Sequence, residues 1–430
     1  MDGYYAFMLV ATALVLMMTV PALALFYGGM TRSKSVLNMM MMSYVGFAIA
    51  ALVFVLWGWS EGWSSANGGL IANPFTLFGL RDVGWESYIG VVFQLTFAAI
   101  TVALISGAIA DRVKMAAWVV FVPIWLTLCY FPIAHNVWGG GWLADHWLAQ
   151  DYAGGTVVHI NAGVAGLVLC LVIGKRVGFR RDPMKPHNLT LTMLGAGLLW
   201  FGWYGFNVGS IVFAAGDGGP KDTAQFMTET GVTFMNTTIA TCAAMLAWLL
   251  TERVVHGKAT SLGAASGIVA GLVAITPSCG AVELPGAIAI GAVAGAVCAL
   301  AVSLKFKLGY DDSLDVIGVH LVGGLIGTLM IGLVSSAGAP GGIDGLFYGG
   351  GFGSLGDQTM AALFTLAWTG VLTTVIALAI KYTIGWRVTA DAEVEGIDSD
   401  QHGESAYDLH TSLGGGRGVL ATLFKEGARA

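Results

Sequence analysis

The sequence predicts an all-α polytopic membrane protein with eleven transmembrane helices, built as an inverted five-helix repeat plus one further helix. Three observations carry this. The chain is 56% hydrophobic and 11% charged, whereas a soluble domain carries about 25% charged residues. Its 430 residues fall into apolar runs of about 20 residues, the length that crosses a bilayer as a helix. One local pattern, Val-His-x-x-x-Gly-x-x-Gly, occurs twice, at Val158-His159 with Gly163 and Gly166 and at Val319-His320 with Gly324 and Gly327.

The apolar runs place helices 1 to 11 at 5–28, 39–59, 89–110, 116–134, 152–173, 189–213, 226–251, 262–280, 284–304, 314–334 and 359–386. The N-terminus turns apolar directly after Asp2 and lacks the basic start of a signal peptide, so it reads as the first spanning helix. The connections after odd-numbered helices hold thirteen Lys and Arg, among them Arg32, Arg112, Arg176, Arg253 and Lys305. The opposite connections hold Arg81 and Lys221. Basic loops stay on the cytoplasmic side, so the N-terminus is expected outside and the C-terminus inside the cell. The transmembrane domain then covers 1–386, with repeat 1 at about 5–173 and repeat 2 at about 189–334, followed by a tail at 387–430. An odd number of helices per repeat gives the halves opposite topology. A pseudo-two-fold axis in the membrane plane then brings His159 and His320 together at mid-depth.

The 62 glycines lie largely inside apolar runs, and Gly291-x-x-x-Gly295 and Gly323-x-x-x-Gly327 predict close helix crossings. The five cysteines show no C-x-x-C pair, which argues against a zinc site or a disulfide framework. No basic stripe points to nucleic acid. Tryptophans such as Trp57, Trp63 and Trp142 suit a membrane-interface belt.

An ionisable side chain inside a spanning helix is costly and marks a functional site by default. His159 and His320 meet that description at matching places. A neutral imidazole both donates and accepts a hydrogen bond, so a facing pair can line a narrow path and pass protons. Two histidines can also ligate haem or another metal. The glycines beside them imply tight packing rather than a haem cavity, and no Asp, Glu or Cys cluster supplies further ligands. No cofactor and no metal are expected. Asp151 opens helix 5, where it serves as an N-cap and as a negative charge that attracts a cation about two turns before His159. Phe93 and Phe97 share one face of helix 3. Trp203, Phe206 and Ser210 run along helix 6, and Trp138 precedes a glycine run. Each aromatic alone reads as core packing. Together they have the parts of a cation site, with ring faces that attract an ammonium-type ion and a serine hydroxyl that accepts its hydrogen bond.

The motifs Phe93-Gln94-Leu-Thr-Phe97, Asp151-Tyr-Ala-Gly-Gly-Thr-Val-Val-His159, Trp203-Tyr-Gly-Phe206-Asn-Val-Gly-Ser210, Thr276-Pro-Ser-Cys-Gly280 and Asp315-Val-Ile-Gly-Val-His320 resemble those of the ammonium transporter family (Amt/Mep/Rh). The resemblance runs from Phe26-Tyr-Gly-Gly to His402-Gly-Glu, and Trp138 points to the microbial Amt branch. It implies a homotrimer with one pore per subunit, carrying ammonium or ammonia, with methylammonium as an analogue. By motif position Phe97, Trp138 and Ser210 resemble the outer ammonium site. Phe93 and Phe206 resemble the stacked phenyl gate. His159 and His320 resemble the pore pair, Asp151 the acidic residue near the outer site, and Trp203 and Thr276 supporting residues. The segment from Trp138 to Asp151 departs from the bacterial pattern by one residue, with an added Trp147.

The implied function is transport: ammonium binds at the outer site and loses a proton, ammonia crosses the apolar pore, and the proton passes separately through Asp151 and the histidines. The alternatives are an ammonium sensor on the same scaffold and, further off, a redox protein with His-ligated haem. Such sensors usually carry an appended signalling domain, and none is expected in this sequence. The tail is acidic at Asp391, Glu393, Glu395, Asp398, Asp400, Glu404 and Asp408, which reads as a solvated segment. Its stretch 395–407 resembles the family's cytoplasmic regulatory segment, which in bacteria packs under the bundle and meets a PII-type signalling protein. Thr411 to Arg417 reads as a glycine-rich linker.

Overall fold

The computed structural model describes residues 2–65, 68–182, 184–212 and 222–407. Among these the chain is helical, with two isolated bridges and no strand. Eleven helices form the bundle: α1 (Gly3–Met30), α2 (Val36–Trp63), α3 (Tyr88–Ala108), α4 (115–138), α5 (Gly155–Ile173), α6 (Leu189–Val208), α7 (Asp222–His256), α8 (Ser261–Ile275), α9 (Leu284–Ala301), α10 (Ile317–Val334) and α11 (Gly353–Tyr382). All but α8 are long and apolar enough to cross a membrane. The outward faces are apolar, with Leu52, Leu250 and Val371 each more than 60% exposed, as a hydrocarbon surround requires.

The ends of several helices differ from expectation for local reasons. Helix α8 stops at Ile275 rather than 280, because Pro277 has no N–H with which to continue the hydrogen-bond ladder. The chain then turns through Thr276–Gly280, with Ser278 N–H donating to Ile275 O at 3.0 Å. Helix α7 extends beyond 226–251 to 222–256, and Arg253 and His256 in its last turn complement the helix dipole. Helix α4 continues past 134 and places Trp138 at its end. Helix α6 ends at Val208 rather than 213.

Glycine sets the tightest crossings. A Cβ at Gly291 or Gly295 would stand 2.2 Å or 2.1 Å from the carbonyl oxygens of Ala240 and Ala244, so α7 and α9 lie backbone to backbone. A Cβ at Gly327 would meet Ala274 O at 2.1 Å. The same device joins the halves. Gly163 on α5 faces the backbone of Leu321, and Gly324 on α10 faces His159 and Ile160. The glycine four residues after each histidine therefore admits the helix that carries the other.

Residues 387–407 are folded against the bundle instead of being solvated. They include two short helices, α12 (Ala390–Glu395) and α13 (Ile397–His402). The Asp398 carboxylate accepts from the N–H groups of Leu37 (3.0 Å) and Asn38 (2.8 Å), which caps α2. Glu393 accepts from Val177 N–H (2.6 Å) and from Arg387 (2.6 Å). Asp408 and the stretch Thr411 to Arg417 lie outside the described residues.

Replacing Gly295 by Leu forces α7 and α9 apart. The expected cost is about 1–3 kcal/mol, seen as a lowered thermal unfolding midpoint of the detergent-purified protein.

Candidate transport pathway

The expected site residues converge on one column through the bundle. At one end a vestibule of about 790 Å³ is walled by Phe93, Trp138, Asp151, Tyr152, Ser210 and Glu229, with Phe97 also on its lining. Below it the Phe97 and Phe206 rings stack cofacially, with centroids 4.0 Å apart and planes at 8°. His159 lies beneath, 6.3 Å from the Phe206 ring, and His320 follows at 5.4 Å from His159. The two Nδ1 atoms are 3.3 Å apart. Both histidines are buried. Their contact leaves no gap for a porphyrin plane between the rings, so the arrangement does not fit a haem held by the pair.

One expected pairing is corrected. The cofacial partner of Phe206 is Phe97, not Phe93. Phe93 sits one turn towards the vestibule on α3, 4.9 Å from the Phe97 ring and tilted by 53°. Both phenyls share a helical face, and only the axial register of α3 against α6 decides which one stands level with Phe206. Phe97 also meets Trp138 edge-on at 6.0 Å, so it belongs to the phenyl stack and to the floor of the vestibule.

The polar partners fix these rings. Trp138 Nε1 donates to Asp151 O at 2.8 Å. Ser210 Oγ donates to Phe206 O at 2.8 Å and keeps its lone pairs beside the vestibule. Trp203 lies nearly parallel to His159, 5.5 Å away, and its Nε1 donates to Thr276 Oγ1 at 2.8 Å. Thr276 in turn donates to Leu272 O at 2.7 Å. Trp203 and Thr276 thus hold the His159 ring from one side.

Asp151 accepts five hydrogen bonds, all from residues 154–157: the N–H groups of Gly154 (2.7 Å), Gly155 (2.6 Å), Thr156 (2.8 Å) and Val157 (3.2 Å), and the Thr156 hydroxyl. It is the cap of α5, and none of these bonds reaches His159. The paired glycines have separate reasons. Gly154 has φ +122°, and a Cβ at Gly155 would stand 2.5 Å from the Pro277 ring.

Two features went unread in the sequence. His159 and His320 both sit in π-helical turns, Gly155–Ile160 and Ile317–Leu321, a local widening common at functional sites. Asp312 is the repeat partner of Asp151, eight residues before His320 as Asp151 is before His159. It accepts from Val316 N–H (3.1 Å) and Ile317 N–H (2.7 Å). The shared spacing was its signal. Burial pushes the Asp312 carboxyl up to about 6, against the pull of Lys305. Beside it, burial would raise Asp311 as well, but Arg176 outweighs that through a direct hydrogen bond at 2.7 Å and its charge, and holds the carboxyl below its usual value.

The sequence profile of the Ammonium Transporter Family matches residues 6–407. The chain belongs to the ammonium transporter family. It is 51% identical over 449 residues to an ammonium transporter of Mycobacterium tuberculosis, covering 96% of this chain and 91% of that one. Among solved structures it is similar to Mep2 of Saccharomyces cerevisiae, with TM-score 0.80 and 34% identity over 90% of this chain and 88% of that one. It is also similar to a sensor Amt protein, with TM-score 0.83 and 26% identity over 93% and 98%. The family assignment and the apolar helices together make this a multi-pass membrane protein.

Asp151→Ala leaves the N–H groups of residues 154–157 without their acceptor. The stability loss is expected to be at least about 2 kcal/mol, read as a fall in the unfolding midpoint, with Asp151→Asn losing less. An unchanged midpoint for the alanine variant would contradict the capping role.

Proposed function

We propose that this family member carries ammonium across the membrane by splitting it into ammonia and a proton. The observation that carries the reading is the column itself: a vestibule with a ring-lined floor, a closed phenyl stack, and two buried histidines in contact directly beneath. Ammonium binds at Trp138, Ser210 and Phe97. Ring faces contribute about 0.5–2 kcal/mol to such a cation, and Ser210 Oγ accepts one of its N–H bonds. Phe93 covers the same position from the vestibule side.

Selectivity follows from chemistry rather than size. Dragging a charge past Phe97 and Phe206 costs several kcal/mol, even after relaxation. Ammonium escapes that cost by leaving a proton behind, and potassium has none to leave. Ammonia then passes the gate. Its partners beyond the gate are His159 and His320, whose neutral rings donate and accept. The proton takes a separate route that uses the negative field of Asp151 and the histidine pair, so each cycle moves net charge. Five donors already hold the Asp151 carboxylate, so it acts through its charge, while the backbone carbonyl of Asp151 fixes Trp138.

The thirteen-to-two asymmetry of basic residues supports a vestibule that opens outside the cell membrane, with the tail in the cytoplasm. The family resemblance extends the proposal to a homotrimer and to a PII-type signalling protein meeting the cytoplasmic face and tail. The similarity to a sensor Amt protein favours one second reading, in which the same site reports ammonium with little or no transport.

Current after ammonium addition to protein reconstituted on an electrode-supported bilayer tests both. A saturable ammonium current absent with potassium is expected, and His159→Ala or His320→Ala should cut it by about tenfold or more while the protein stays folded. An unchanged, selective current in either variant refutes the relay. Folded wild-type protein with neither current nor ammonia flux refutes the transport reading and leaves the sensing one.

A further inference from the structure

A second carboxylate stands in the vestibule wall, on an element that the ammonium site does not use. Glu229 lies two turns into α7 and is only 5% exposed. Its Oε1 accepts from the Tyr152 hydroxyl at 2.7 Å, and its Oε2 accepts from Gln225 Nε2 at 2.9 Å, one turn back on α7. Both donors are neutral. Among the described residues no Lys, Arg or His forms an ion pair with it. This contrasts with carboxylates at the other end of the bundle, where buried Asp311 pairs with Arg176 and half-buried Asp315 with Lys305.

The surroundings tie Glu229 to the transport path. Tyr152 follows Asp151 directly. Its N–H donates to Pro277 O at 3.0 Å, and its ring lies over Gly280, where a Cβ would stand 2.5 Å from it. The phenol is therefore fixed at both ends, and it holds Glu229 Oε1 at the same cavity that Trp138 and Ser210 line. A carboxylate inside a spanning helix is expensive. Here its hydrogen bonds are met by neutral groups, while its counter-charge is not supplied by the described protein. A low-dielectric cleft in which Glu229 adds an uncompensated negative charge to that of Asp151 focuses the field and concentrates cations.

We propose that Glu229, held by Tyr152 and Gln225, is a staging subsite for a small protonated amine, where ammonium waits before it reaches Trp138 and Ser210. The subsite rests on the transport reading for its purpose, though its binding chemistry stands apart from it. Ammonium donates to carboxylate lone pairs left free by Tyr152 and Gln225. It then moves on to a site that holds it by ring faces and one hydroxyl. Glu229 is thus a residue of affinity and capture, and it takes no part in the deprotonation step.

The test is a full ammonium titration of the reconstituted current, alongside calorimetric titration of ammonium chloride into the detergent-purified protein. Glu229→Gln keeps the shape and hydrogen bonding while removing the charge. It is expected to raise the half-saturating ammonium concentration by about three- to tenfold, with the maximal current within twofold of wild type. The difference should narrow as sodium chloride is raised. Gln225→Lys places a cation beside an intact Glu229 at a half-buried position, and should raise half-saturation in the same way. If Glu229→Gln fails to fold, that second variant decides. Unchanged half-saturation in the folded variants overturns the proposal. So does a fall in maximal current at constant half-saturation, which would place Glu229 at a later step. Wild-type protein without current would overturn the transport reading alone. The calorimetric affinity, lowered or unchanged by the same variants, would then still decide the subsite.

Discussion

The close crossing of α5 and α10 is the constraint on which the rest depends. His159 and His320 touch only because Gly163 lets Leu321 approach and Gly324 lets His159 and Ile160 approach. Each half of the chain supplies the gap that the other half fills. The π-helical turns at both histidines and the paired carboxylate caps at Asp151 and Asp312 belong to the same arrangement. With the histidines fixed, the Trp203 ring lies against one of them and the phenyl stack closes above.

This arrangement joins two kinds of chemistry in one line. The vestibule end offers ring faces, a hydroxyl and carboxylates, which suit a hydrated cation giving up its water. The gate offers hydrocarbon only, which suits a neutral molecule. The histidines then supply polar atoms without a fixed charge. The polar vestibule gives way to hydrocarbon where Phe97 meets both Trp138 and Phe206, so one ring borders both environments.

Much of this was legible because membranes simplify sequence. Apolar runs of spanning length marked eleven helices, and all eleven are present. The duplicated histidine pattern marked the centre, since few forces other than function keep histidine inside lipid. What escaped was register. Nothing in Phe93 and Phe97 says which ring stands level with Phe206, because that depends on how α3 and α6 slide against each other. The stop of α8 was readable in Pro277, but an apolar run overrode it. The acidic tail read as solvated because composition cannot show that Asp398 meets free N–H groups at the start of α2. Glu229 is an acid inside the span 226–251, but no motif surrounds it to mark it as functional.

The separation of 161 positions between the two histidines has a consequence for biogenesis. The column draws on α3, α4, α5, α6 and α10, and its central contact waits for one of the last helices to be made. A nascent chain that has inserted only its first half holds one histidine, no phenyl stack and no completed path. Contacts so distant along the chain form late in folding. The step that completes the polar centre is then the same step that packs the two halves around it.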